Sequence, residues 1–288
     1  MSTLKDYVKG LNLLKGKVVQ TYYSSGARKR ACELAARADS SYLFLKEFFK
    51  VDADLALLVL DSKDWSKRTS FPYGVLFSDK GVIHLSADVE TPAMRMLYPM
   101  FDNCPKPLSE SLTLSVGRKE TSFTYAVQMM FDHCVVHEFT HGFHQKTNVR
   151  FLAAWLSEFF ADYTMYAFLK RFEAKFSKDL HVIEVLAKVM YEGGKPLVKH
   201  TSLEDFERDP LGGGFLNYVW YHGKFLLGVF ELYEKYGESF IGNLIDTFKV
   251  TDESIGQKIG KSCKGFEKWF EYLYNEVKKR EQKGVDSG

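Results

Sequence analysis

The 288-residue chain is predicted to fold as an α+β protein. Three observations point there: short apolar runs suited to strands occur only in the first part of the chain, strand signals fade after Pro105 and Pro107, and the rest carries apolar stripes at helical spacing. A doubly wound α/β sheet would instead need strands and helices alternating to the end. The expectation is a small N-terminal mixed sheet with a mostly helical C-terminal half.

Taken in order, residues 26–50 repeat Ala, Leu and Phe at three and four and read as a helix. Residues 55–60, Leu-Ala-Leu-Leu-Val-Leu between aspartates, form a continuous apolar run suited to a buried strand. Residues 73–77 and 81–87 flank Ser-Asp-Lys-Gly as a hairpin, with Ile83, Leu85 and Ala87 alternating against His84, Ser86 and Asp88. Helices are expected over 122–146, 151–175, 179–192, 214–236 and 264–281. The corresponding organisation is an N-terminal helical segment (1–50) packed on the core, a sheet with the helix that follows it (51–146), and a helical subdomain (147–288).

Composition narrows the function classes. Forty-five per cent hydrophobic, 15% aromatic and 26% charged residues describe a chain able to bury a core, which excludes intrinsic disorder. Thirty-nine basic against 37 acidic residues give a net charge of +2, too balanced for a nucleic-acid binder that works through a basic field. The four cysteines (Cys32, Cys104, Cys134 and Cys263) never form a C-x-x-C pair, so neither a disulfide framework nor a zinc ribbon is expected. The first residues lack the apolar stretch of a secretory leader, which makes cytoplasmic residence the expectation. The apolar stretch 151–169 is interrupted by Glu158 and Asp162, so it reads as a buried helix and no membrane span is expected.

The chemistry is concentrated in His137-Glu138-Phe139-Thr140-His141. On a helix, residues four apart share a face, so both imidazoles can reach one metal ion, with Glu138 beside them to take a proton from water. Phe123, Val127, Met130 and Cys134 continue the stripe backwards at spacings of four, three and four, which puts the motif on a buried face. A catalytic zinc site needs a third protein ligand. Glu158, inside an otherwise apolar stretch, supplies a carboxylate that would be costly in a core without a cation. Asp162, one turn later, is placed to accept the second N–H of a ligand histidine and orient its ring.

The stretches 136–142 (Val-His-Glu-Phe-Thr-His-Gly) and 155–163 (Trp-Leu-Ser-Glu-Phe-Phe-Ala-Asp-Tyr) resemble the gluzincin zinc metallopeptidases, the group that holds the thermolysin-like and alanyl-aminopeptidase-like enzymes. That resemblance implies a zincin (thermolysin-like) core and one Zn2+ per chain, bound by His137, His141 and Glu158. It also implies Glu138 as general base to a zinc-activated water, Asp162 as support to the ligands, and a peptide or protein as substrate. Two departures stand out. Only sixteen residues separate His141 from Glu158, so the connection must be tight, and the Gly-x-Met-Glu-Asn segment by which aminopeptidases grip a free amino terminus is absent. The family also supplies a Tyr or His that stabilises the oxyanion. The segment Tyr218-Val-Trp-Tyr221-His222-Gly223 offers Tyr221 first and His222 second. The strand at 81–87 is a candidate edge on which an extended peptide could align. The alternative to an enzyme is a catalytically inactive or non-peptidase zinc-binding module that holds a peptide or protein partner in the same cleft.

Other features have plainer readings. His133 and His144 share the motif's helix but are expected to be solvated or core-edge histidines, and the long motif with a third histidine fails because Thr147 stands where it would be. Gly-Gln-Lys-Ile-Gly-Lys-Ser at 256–262 lacks the first glycine of a phosphate loop. Gly212-Gly213-Gly214 reads as a connection, and the basic run 278–283 as a solvated helix end.

Overall fold

The computed structural model of the chain describes residues 4–248, apart from 16, 118–121, 148 and 152. The expected helix at 264–281, the 256–262 loop and the 278–283 run lie outside the described residues. In chain order the elements are α1 (Leu4–Val8), β1 (Asn12–Leu14), β2 (Gln20–Tyr23), α2 (Arg28–Phe49), β3 (Ala56–Leu60), α3 (Ser62–Ser66), β4 (Phe77–Asp79) and β5 (Val82–Ser86). There follow α4 (Pro92–Arg95), α5 (Tyr98–Asp102), α6 (Lys106–Val116), α7 (Ser122–Gln145), α8 (Ala154–Arg171), α9 (Glu173–Gly194), α10 (Leu203–Arg208), α11 (Phe215–Tyr236) and α12 (Ser239–Phe248). The fold is α+β, mostly helical, with a small mixed sheet.

The sheet is built around the Ala-Leu-Leu-Val-Leu run of β3, which is buried on both faces, as a continuous apolar strand requires. Strand order is β1-β2-β3-β5-β4, with β2, β3 and β5 parallel and β1 and β4 antiparallel to their neighbours. Leu57, Val59, Ile83 and Leu85 face the helices in the main core. Ala56, Leu58, Leu60 and Val82 face a smaller cluster closed by Trp65.

Two expectations about the sheet are corrected. The strand at 81–87 is not an edge: β5 lies between β3 and β4, and the edge on that side is β4. The two-residue turn Lys80-Gly81, with both φ angles positive (52° and 80°), folds β4 back on β5 and leaves it covering that side. The alternation in β5 also has no solvent side, because His84 and Ser86 are buried in the smaller cluster or beneath it. The first 50 residues are more than a helical segment, since they supply β1 and β2 as well as α2.

The long helices appear where the apolar stripes place them. α2 and α8 pack on α7, and α9 and α11 complete the helical body. α7 is buried along most of its length, and its one glycine, Gly142, lies close against Leu55: a Cβ there would lie 2.4 Å from Leu55 Cδ2 and the leucine tip would have to shift. Thr140, inside the histidine motif, donates from Oγ1 to the Val136 carbonyl at 2.8 Å and shares a 2.6 Å hydrogen bond with Thr164 Oγ1 of α8. This polar stitch in the core fixes α7 against α8. Among the described residues no helix is long and apolar enough to cross a membrane.

Candidate metal centre

α7 and α8 bring together the four residues the motif singles out. His137 and His141 sit one turn apart on α7, and Glu158 opposes them from the first turns of α8. The Nε2 atoms of the two histidines are 3.1 Å apart; Glu158 Oε2 lies 3.1 Å from His137 Nε2 and 3.5 Å from His141 Nε2. Donor atoms of a tetrahedral zinc ion, at ~2.0–2.1 Å from the metal, stand roughly 3.3 Å apart. The donor set, its spacing and its closure from two helices therefore fit one such ion.

The supporting contacts are equally specific. Asp162, one turn beyond Glu158 and buried, accepts a hydrogen bond from His137 Nδ1 at 2.9 Å, as its spacing suggested. Its other oxygen accepts from His222 Nδ1 of α11 at 3.0 Å. Ser157 Oγ lies 3.4 Å from His141 Nδ1. Burial would raise the Glu158 carboxyl, but His141 first and then His137 hold it well below the usual carboxylate range. Burial likewise opposes charge on His137, yet Asp162 and Glu158 outweigh it and lift the imidazole well above its ordinary value. The site thus gathers two buried carboxylates and two imidazoles whose protonation is tightly coupled.

The two candidates on α11 part company. His222 faces the centre, its Nε2 3.8 Å from Glu158 Oε2. Tyr221 does not: it is 1% exposed, donates its hydroxyl to the Ser202 carbonyl at 2.6 Å, and packs among Phe206, Trp220 and Phe225. The tyrosine that reaches the centre is Tyr218, whose hydroxyl donates to Glu158 Oε2 at 3.2 Å. Burial, reinforced by Glu158 and Glu138, pushes its phenol well above the ordinary range, so it stays a donor. The signal for it was in the sequence: Tyr218 is four residues before His222 and so shares its face, whereas Tyr221 is turned about 100° away.

His133 differs from its expectation, being fully enclosed and 2.8 Å from Asp179 on α9, while His144 packs edge-on against Phe151. Neither joins the three converging donor atoms.

Two cavities meet at the centre. The smaller, of about 70 Å3, runs behind Glu138 and is walled by Met130, Cys134, Met165, Met190 and Leu226. An open cleft of about 530 Å3 runs along the segment 75–78, which includes the start of edge strand β4, to Pro210, Leu211 and Gly214. Glu138, Leu76, Phe215 and Tyr218 line both. The glycine-containing loop before α11 is therefore a wall of the cleft as well as a connection. Compared with protein-family models, curated proteins and solved structures, the chain matches none of them.

Proposed function

We propose that this protein is a zinc-dependent metallopeptidase of gluzincin type, with a zincin-like core. The observation that carries the reading is the convergence of His137 Nε2, His141 Nε2 and Glu158 Oε2 within 3.1–3.5 Å of one another, with Glu138 at the junction of the two cavities. A zinc ion held by those three residues would supply Lewis acidity toward the scissile carbonyl and lower the pKa of water.

The chain's own groups account for the rest. Glu138 takes the proton of the attacking water and returns it to the leaving amine nitrogen. Tyr218, kept protonated by burial and by Glu158, donates to the negative charge that develops on the carbonyl oxygen, and His222 faces the same space from one turn further along α11. Asp162 holds the His137 ring in its ligating orientation. The free edge of β4 beside the cleft offers main-chain groups to an extended peptide. The small apolar cavity behind Glu138 suits an uncharged side chain next to the cleaved bond.

The test is mass spectrometry of a mixed peptide library incubated with zinc-loaded protein and with its Glu138→Gln variant. Cleavage is expected for the parent and a fall of roughly 10²–10⁴-fold in the variant at unchanged zinc content. An undiminished rate removes Glu138 from the mechanism. No cleavage by folded, zinc-loaded parent favours the binding module instead.

A further inference from the structure

We propose that Asp162 is a shared positioning residue, whose two oxygens set the tautomers of the metal-facing ring of His137 and of the His222 ring that lines the smaller cavity, so that occupancy of the metal centre is felt at His222. The inference rests on the metal-site reading above, though not on peptidase activity.

A carboxylate only accepts hydrogen bonds, so each ring must carry a proton on the nitrogen that meets it. Oδ1 is used by His137 Nδ1 at 2.9 Å and Oδ2 by His222 Nδ1 at 3.0 Å. His137 is thereby left with Nε2 as the atom turned toward His141 and Glu158, which offers its lone pair once a cation takes the place of the proton shared there with Glu158. His222 is left with Nε2 as the group it presents, a lone pair when the ring is neutral and a donor when it carries a second proton. That atom is enclosed and has no hydrogen-bond partner, which in a buried position calls for an explanation. The ring is held by Tyr218, with centroids 4.6 Å apart, and Phe225, at 6.0 Å. The ring therefore holds an unsatisfied nitrogen fixed 3.8 Å from Glu158, at the edge of the metal centre.

Sharing one anion has a further consequence. A cation at His137 Nε2 draws electron density through the ring and strengthens its Nδ1–H bond to Asp162. The carboxylate is then a poorer acceptor for His222, whose bond lengthens. His222 thus responds to metal without being a ligand.

The experiment is long-range 1H–15N spectroscopy of the full chain with 15N-labelled histidine at about pH 8, where an unperturbed imidazole is neutral. Spectra are recorded before and after one equivalent of zinc, with His222 assigned by His222→Phe. The expected result is an Nδ1–H tautomer at His222 and an upfield move of that proton when zinc binds. Asp162→Asn should convert His222 largely to the Nε2–H form and weaken zinc binding by about 10–100-fold, while His222→Phe changes zinc affinity by no more than about threefold. An Nε2–H tautomer in the parent overturns the proposal, as does a His222 proton indifferent to zinc. An affinity loss in His222→Phe equal to that in Asp162→Asn also overturns it, by making His222 a ligand. The parent spectra decide the point even where Asp162→Asn does not fold. Expected tautomers in a protein that cleaves no peptide would leave this inference standing and remove only the peptidase reading.

Discussion

His84 and His137 are two histidines of nearly equal burial, 0% and 4% exposed, that the fold treats in opposite ways. His84 lies at the middle of β5 with no hydrogen-bond partner at either ring nitrogen. It is stacked on Phe77 at 4.3 Å and 9° and flanked by Tyr7 and Trp65. Burial dominates there, over smaller opposing contributions from backbone carbonyls and Asp79, and lowers its pKa to about 4. His137 has a carboxylate at each nitrogen, and the same burial is overridden. Depth therefore says little about what a histidine does. The groups facing its two nitrogens decide whether it is a neutral core ring or one held protonated between carboxylates.

The sharpest way to break this contrast is to turn each ring into phenylalanine. His137→Phe strands Asp162 and Glu158 as buried carboxylates without their common partner. We expect loss of zinc retention, activity at background, and a metal-free stability lower by about 3–5 kcal/mol in urea titrations. His84→Phe should keep both zinc and activity. Equal losses in the two variants would mean that the centre around His137 is structural scaffolding.

Tyr218 and Tyr221 repeat the contrast on one helix, with a smaller expected effect. Tyr218→Phe removes the donor nearest the ligands and should lower kcat by roughly 10²–10³-fold with little change in KM. Tyr221→Phe is the control. It removes a hydroxyl bonded to the Ser202 carbonyl, which also accepts from Phe206 N–H, so the rate should not change. A reversal of these two results would return the oxyanion role to Tyr221.

The sequence was informative where an element is long or its chemistry local. α2, α7, α8, α9 and α11 each fill several turns, enough for apolar periodicity to declare them, and the 55–60 run contains β3. β1 and β2, of three and four residues, are too short for periodicity: β2 forms on the edge of β3, and β1 on the edge of β2. The first hairpin strand is displaced from 73–77 to Phe77–Asp79 because Pro72 and a turn closed by Val75 N–H to the Pro72 carbonyl occupy its start. The convergence of His137, His141 and Glu158 was readable because i, i+4 spacing on α7 and a carboxylate in an apolar stretch at the start of α8 are local facts. That Asp162 serves His222, 60 residues away, depends on α11 crossing α8, which no pattern within either helix encodes.

The smallest effect expected is a pH dependence confined to His84. In the unfolded chain its imidazole takes up a proton near pH 6.5, whereas in the fold it does so only near pH 4. Between those values the unfolded state binds more protons, so stability falls as pH is lowered through that window and is fully present above it. From pH 7 to pH 5 the parent should lose about 2 kcal/mol on account of this residue. Phenylalanine at 84 keeps the stack on Phe77 and cannot be protonated. The variant should therefore match the parent at pH 5 more favourably than at pH 7, with its urea midpoint declining less on acidification. If the decline is the same in both, acid sensitivity arises elsewhere. The candidates are then carboxylates held in ion pairs, such as Asp179 beside His133 and Arg37, whose protonation would weaken the packing of α7 on α9 and α2.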